Sequence, residues 1–410
     1  MRASTFGATS SSDSAPSDES LTEMRTEYQS IVVGLGGIGS GAAYWLARRL
    51  GKDVLGLEQF ELGHDRGGSH DHSRIIRLSY HTPAYVEFAK RGYAAWADLE
   101  RDAGEQLILR TGGLDFGPRD GAIPLSNYAD SMTACGVPFE RLDAAEIRRR
   151  FPPFKVGDEI HGVFQPESGI AMADKANVAH QRMARRHGAT LREHARVHRI
   201  ESRDGEVVVE TGDARYRAAS LVIAADAWTN SILAHFDMRL PLEVTKEQLT
   251  YFRSPNAESF APDRFPVWIW MDDPSFYGFP MFGPGVKVAQ DAGGKPTDPN
   301  TRTFEPDPDN LARVEAFLAE YLPSALGPIE YTKTCLYTLT PDRDFVIDVL
   351  PEHPNVALAI GAGHAFKFAS VIGKTLAELV LDSTTDAPIT DYRVDRHVLT
   401  LADPPRHYMV

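Results

Sequence analysis

The stretch from Ile31 to Glu58 constrains this chain more than any other. Ile31-Val32-Val33 is a short β-branched run, and Gly34-Leu35-Gly36-Gly37-Ile38-Gly39 follows it with G-x-G-x-x-G spacing. Ala42 to Leu50 then reads as a helix, and Lys52 to Leu57 as a second strand ending in the acid Glu58. Each part has a chemical reason. Gly34 permits a sharp turn, Gly36 lets the backbone approach a pyrophosphate, and Gly39 lets the helix pack close to the strand. The helix N-terminus offers free N–H groups and partial positive charge to phosphates. Glu58, 19 residues past Gly39, stands where an acid accepts hydrogen bonds from ribose hydroxyls. Glycine-rich turns are common, but strand, helix, second strand and acid in this order point to a dinucleotide site. Tyr28 to Ala47 carries no charged residue, yet its glycines divide it into strand, turn and helix rather than a membrane span.

At 410 residues the chain has room for two or three domains, or one large interleaved pair. It holds only two cysteines, Cys135 and Cys335, which excludes a disulfide scaffold and a four-cysteine zinc site. A net charge of −14 argues against a nucleic-acid partner. Arg148-Arg149-Arg150 before Phe151-Pro152-Pro153 reads as a helix end, with cations at the negative end of its dipole. Residues 1–27, rich in Ser and Thr, are expected to be a disordered tail. They lack the apolar centre of a secretory signal, and no targeting signal marks the C-terminus, so the expectation is a cytoplasmic protein without a membrane partner. No G-x-S-x-G elbow and no P-loop is present.

A second polar cluster follows Glu58: His64-Asp65-Arg66-Gly67-Gly68-Ser69-His70-Asp71-His72-Ser73-Arg74-Ile75-Ile76-Arg77. Three readings stand. His64, His70, His72 and Asp71 could be metal ligands, although the glycines make the loop floppy and no second ligand cluster supports it. The segment could be an ordinary solvated loop. Or it could handle an anion: in a helical turn Arg74 and Arg77 would share a face, and guanidinium groups capture carboxylates bidentately.

Gly68-Ser69-His70 and Ser73-Arg74-Ile75-Ile76-Arg77 resemble the corresponding loop of the monomeric sarcosine oxidase family, which includes N-methyltryptophan oxidase and pipecolate oxidase, within the broader D-amino-acid oxidase-like flavoproteins. The resemblance runs from about Ile31 to about Leu381. It is carried further by Thr111-Gly112-Gly113-Leu114-Asp115-Phe116-Gly117, Tyr277-Gly278-Phe279-Pro280, Lys333-Thr334-Cys335-Leu336-Tyr337-Thr338 and Gly363-His364-Ala365-Phe366-Lys367-Phe368. It implies FAD, held covalently by a thioether from Cys335 to the flavin 8α-methyl. A thiolate is needed for that bond, so cationic neighbours such as Lys333 would help. Lys287, in an expected hairpin after Gly283-Pro284-Gly285-Val286, is implied to lie near flavin N5 and activate oxygen, because a fixed positive charge in a dry site stabilises superoxide. Arg74 is implied to be a cation close to the flavin, Arg77 and Lys367 the holders of a substrate carboxylate, and Tyr277 an active-site tyrosine. Ser69, His70, Gly363 and His364 would join Gly34, Gly36, Gly39 and Glu58 around the cofactor, with Val197 on a strand whose backbone meets the adenine. Cys135 shares helical spacing with Met132 and reads as structural. The helix expected over Ala365 to Leu381 would point its N-terminus at the flavin, with Lys367 in its first turn. No metal is expected.

Departures from the family pattern bear on the substrate. Asp291 stands four residues after Lys287, where sarcosine oxidase has a histidine; an acid there could bind hydroxyls or a cationic substituent, and fructosyl amine oxidases carry an acid at similar spacing. Asp226 and Ala365 each replace a family glycine near the cofactor. The expected architecture is mixed α/β, an FAD-binding Rossmann-like domain (28–88, 164–240 and 341–395) interleaved with a mixed-sheet substrate domain (89–163 and 241–340), and a C-terminal tail over 396–410. The expected activity is oxidation of a secondary-amine amino acid in a monomer or small homo-oligomer: hydride passes to flavin N5, the imine hydrolyses, and O2 becomes hydrogen peroxide. The alternatives are a fructosyl-amino-acid oxidase, motivated by Asp291, and a flavoprotein dehydrogenase that does not use oxygen. A nicotinamide enzyme leaves Cys335 and Lys367 unexplained.

Overall fold

A computed structural model describes residues 25–407. The first strand, β1 (Glu27–Val33), runs into helix α1 (Gly37–Leu50), and the chain returns as β2 (Val54–Leu57) after a single 3-10 turn. The helix therefore begins five residues earlier than the apolar pattern suggests, directly at the glycine turn, because glycines that look like breakers here form its first turn. Gly34 adopts φ +87°, and a Cβ on it would lie 2.4 Å from the carbonyl oxygen of Ala224. A Cβ on Gly39 would lie 1.8 Å from the carbonyl oxygen of Gly34, so the helix rests on the strand at a distance only glycine allows.

The expected tail, residues 1–27, lies outside the described residues except for Arg25 to Glu27. These three are ordered: Glu27 starts β1, and Arg25 pairs with Asp53. β1 sits centrally in an eight-stranded sheet, parallel to β2 on one side and to the strand Arg215–Ile223 on the other. The strand Arg215–Ile223 changes partner on its far edge. Its first half pairs with the hairpin strand Glu206–Thr211, and its last residues run parallel to His353–Ile360. Segments far apart in sequence thus converge beside the glycine turn.

A nine-stranded sheet forms the second layer, and the strands Glu243–Phe252, Ile329–Leu339, Gly285–Gln290 and Phe276–Phe282 lie side by side within it. The expected hairpin around Lys287 is present as Phe276–Phe282 and Gly285–Gln290. The helix Pro308–Tyr321 braces this sheet, stacking Phe317 on Phe276 with centroids 4.4 Å apart. A three-stranded sheet joins β3 (Ser73–Ile76) to Gly169–Met172 and Ile108–Arg110. The segment carrying Arg74 is therefore a strand, not a helical turn. Its burial on both faces suits β-branched isoleucines better than a helix would.

Helix α2 (Pro83–Ala103) shares one core with α1 and the helix Ala369–Asp382, so the expected boundary at 88/89 falls inside a continuous helix. The helix at Arg148-Arg149-Arg150 ends where expected, at Arg150. Among the described residues no helix is long and apolar enough to cross a membrane. Replacing Gly34 by Ala is expected to strain the turn and push on Ala224, lowering stability by at least ~2 kcal/mol and abolishing cofactor retention; denaturant unfolding and bound-flavin absorbance measure both.

Candidate active site

Two cavities meet at the glycine turn. Both are lined by Gly36, Gly68, Ser69, Ala224 and Asp226. The second continues along Gly34, Glu58, His70 and Val197. The first opens between the sheets, onto Arg74, Arg77, Tyr277, Asp291, Gly363, His364 and Lys367. A long ligand with a phosphate-sized middle fits such a pair of chambers. At the junction Gly37 N donates to Ser69 Oγ at 2.9 Å, which ties the loop to the start of α1.

In the second cavity Glu58 is buried, and its oxygens accept from Leu35 N at 2.9 Å and Phe60 N at 3.1 Å. It locks the turn as well as facing the cavity, and a carboxylate retains lone pairs for a ribose beyond those two bonds. His70 is buried with neither ring nitrogen partnered among the described residues. Burial, with Arg74 nearby, lowers it to about 3, so it is neutral and offers one donor and one acceptor. Asp226 adopts φ 45°, the left-handed region that favours glycine, and burial raises its carboxyl, which suits an acid beside phosphates.

The metal reading of the loop is not supported by where its members go. His64 turns to Glu58 and His72 to Asp174 at the surface, while Asp71 points inward. Among the described residues no group of three or more His, Cys, Asp or Glu is placed to hold a metal ion.

In the first cavity the cations are largely answered by acids. Arg77 lies 3.1 Å from Asp115, with its Nε–H lacking an acceptor among the described residues. Arg343 donates to both oxygens of Asp291 at 2.8 Å. Burial raises the Asp291 carboxyl, but the Arg343 charge overcomes this and holds it below the usual range. Asp291 is thus neutralised by a guanidinium, which leaves it little attraction for a cationic substituent, although it lines the cavity and retains lone pairs. Arg74 donates to the carbonyls of Gly68, His70 and Ser73. Lys367 differs: its ammonium has no hydrogen-bond or ion-pair partner among the described residues and stands 5.8 Å from the Tyr80 ring centroid. Burial, reinforced by Arg77, lowers it to about 7. It sits in a 3-10 turn, Phe366–Phe368, and the α-helix starts only at Ala369, later than the expected Ala365.

Lys287 and Cys335 lie one layer behind the lining residues. Lys287 is 1% exposed, with its Nζ 2.5 Å from Asp71 Oδ2 and 4.7 Å from the Phe279 ring centroid. Burial pushes the Cys335 thiol up to about 11, against the pull of Arg74. The cation bearing most on Cys335 is Arg74, not Lys333, which turns to Asp65 at 3.4 Å. Cys135 caps the helix Leu125–Ala134 and lines neither cavity.

Sequence reasoning missed four residues. Asp115 had a signal: an acid between Leu114 and Phe116 in an apolar strand asks for a buried partner. Arg343, in the polar run Asp342-Arg343-Asp344, looks like a surface turn and is 1% exposed. Arg406 and His407 belong to the expected tail, yet they line the mouth of the first cavity, where His407 N donates to Pro341 O at 2.7 Å.

A glycine cradle that opens into a cationic chamber is the arrangement a flavin-dependent oxidoreductase requires. Residues 29–379 match the family described as DAO, FAD dependent oxidoreductase. The chain is 32% identical to monomeric sarcosine oxidase of Bacillus sp. (strain NS-129), over 92% of this chain and 98% of that protein. It is 31% identical to N-methyl-L-tryptophan oxidase of Salmonella arizonae, over 90% and 99%. The solved open form of NikD, an unusual amino acid oxidase essential for nikkomycin biosynthesis, superposes with a TM-score of 0.80 at 28% identity, over 90% and 98%. The chain belongs to the DAO family of FAD-dependent oxidoreductases.

Lys367 sets a pH test. Of its two forms only the ammonium attracts an anion, and that form is lost as pH rises through about 7. Glu247, lifted to about 7 by burial, gains negative charge over the same range and pushes the same way. The Kd of acetate for the FAD-loaded protein, read from flavin absorbance, is expected to rise toward ~tenfold per pH unit above neutrality; Lys367→Met is expected to bind acetate weakly at every pH and to flatten the profile.

Proposed function

We propose that the chain oxidises a secondary-amine amino acid, N-methylated or cyclic, with O2 as the final electron acceptor. The observation that carries this reading is the unpaired Lys367 ammonium in a chamber where Arg77 and Arg343 already have carboxylate partners. A substrate carboxylate supplies the missing counter-charge. The relatives named sarcosine oxidase and N-methyl-L-tryptophan oxidase support the amine class.

FAD, when bound, supplies the hydride acceptor and the path of electrons to O2. The protein's part is positional and electrostatic. Lys367 and the unpartnered Nε–H of Arg77 would hold the carboxylate and so orient the carbon α to nitrogen. Tyr277 and Ile269 wall the chamber. No strong base is required, because an amine bound neutral carries its lone pair into the reaction. Lys287 provides a buried positive charge where oxygen is reduced. Cys335, on which Arg74 is the cation bearing most, would be the residue to tether the cofactor. The fructosyl-amine reading rests on Asp291, whose charge Arg343 answers and whose remaining lone pairs still face the cavity, so a substrate panel separates the two.

A panel of N-methyl, cyclic, primary and fructosyl amino acids, scored by peroxide and oxygen uptake, is expected to yield peroxide with secondary amines first. Peroxide only with fructosyl amino acids, or reduction without oxygen uptake, sinks the proposal. Lys287→Met is expected to slow reoxidation by O2 at least ~100-fold while flavin reduction by substrate stays within a few-fold; equal effects on both half-reactions remove its oxygen role. Acid-precipitated protein is expected to stay yellow, and a Cys335→Ser variant to release its flavin.

A further inference from the structure

Asp71 lies in none of the roles assigned so far, yet it is built into the site at some cost. Its backbone adopts φ 84°, a conformation that L side chains rarely take, and its carboxylate is fully buried. That carboxylate accepts from Lys287 Nζ at 2.5 Å and from the Tyr251 hydroxyl at 3.1 Å through both oxygens, with Arg74 at 3.7 Å. Lys287 Nζ also donates to the Ser73 carbonyl at 2.8 Å, and Tyr251 stands opposite Lys287 across paired strands. The ammonium is thus held at a fixed point between the loop 71–73 and the Phe279 ring.

We propose that Asp71 is a positioning residue for the oxygen half-reaction: it keeps Lys287 a cation and fixes where that cation sits. The proposal rests on the reading of Lys287 as the oxygen-site charge. Consider every charged or titratable group facing the ammonium. From the loop come Asp71 and Arg74, from the strand Glu243–Phe252 Tyr251, and from Ile329–Leu339 Cys335. Arg74 opposes a second positive charge. Burial raises both Tyr251 and Cys335, so both are neutral near pH 7. Burial raises Asp71 too, but the Lys287 and Arg74 charges hold it well below the usual carboxylate range. Asp71 is therefore the one negative neighbour among the described residues. Even with it, burial brings Lys287 down to about 8. Without it, a dry ammonium beside Arg74 gives up its proton near neutral pH, and the charge that favours superoxide disappears.

The test compares reoxidation of the substrate-reduced holoenzyme by O2 across pH in wild type, Asp71→Asn and Asp71→Gly. Glycine suits the backbone at 71, so the second variant removes the carboxylate without adding strain. Both variants are expected to reoxidise about tenfold more slowly near pH 8 and to recover toward pH 6, while substrate reduces their flavin at the wild-type rate within about twofold. Side-chain nitrogen NMR of lysine-labelled protein, with the Lys287 signal assigned by its absence in Lys287→Met, reads the charge directly. Its titration is expected to move to lower pH in both variants. An unmoved titration and an unmoved pH profile overturn the proposal, as does a rate loss equal at all pH, which marks a merely structural residue. If Lys287→Met itself reoxidises normally, the oxygen role of Lys287 fails first, and the role of Asp71 in it falls with it.

Discussion

A cation carried out of water needs a counter-charge or it loses either its proton or its place, and the interior of this molecule is organised around that requirement. Asp71 answers Lys287, Asp115 answers Arg77, and Asp291 answers Arg343. Each acid comes from a different segment, so the charge pattern exists only when the sheets have assembled. Breaking one pair strands a buried charge, which is far more costly than replacing both partners together. The pairing also leaves one ammonium that lines the chamber, Lys367, without an ion-pair carboxylate among the described residues.

The segment from Gly68 to Arg77 is where cofactor and substrate chambers are joined mechanically. Ser69 holds the first turn of α1, His70 faces the second cavity, Asp71 reaches back to the lysine, and Arg74 ties the loop by its own carbonyls. β3 then carries the chain to Arg77 in the lining of the first cavity. A strand does this better than a helical turn would. It advances about 3.3 Å per residue, enough to place Arg74 and Arg77 at different stations along one cavity rather than on one face.

Much of this was legible because the informative patterns are local. The strand, glycine turn, helix and acid around 31–58 are set by contacts within about thirty residues, and the glycine roles follow from distances that a Cβ would violate. Tyr277, Lys367 and His364 also reach the chamber expected of them. What was not legible depends on long-range pairing. Nothing near Arg343 in sequence says that it will meet Asp291, 52 residues away. Asp71 sits among histidines that suggest a metal, and only the folded register of the strand carrying Lys287 shows its partner. The start of the helix after Gly363 was misjudged for a related reason. Apolar spacing continues through Phe366 and Phe368, but the backbone there takes a tighter turn that sets Lys367 into the cavity.

The accounting of charge also constrains the form in which an amine enters. Around the first cavity stand Arg74, Arg77, Arg343 and Lys367, and the acids that could welcome a further cation are engaged: Asp115 by Arg77 and Asp291 by Arg343. Asp226 belongs to the nucleotide side, where burial disfavours its charge, and Asp273 is exposed at the mouth. On the proposed function, a substrate ammonium would find no acid free of a cationic partner deep in the chamber, whereas its carboxylate would be drawn to Lys367. On that proposal, the chamber would favour the anionic amino acid with a neutral amine. That is the form whose nitrogen lone pair can assist hydride loss from the adjacent carbon, so the same electrostatics that bind the carboxylate prepare the amine for oxidation without a dedicated base.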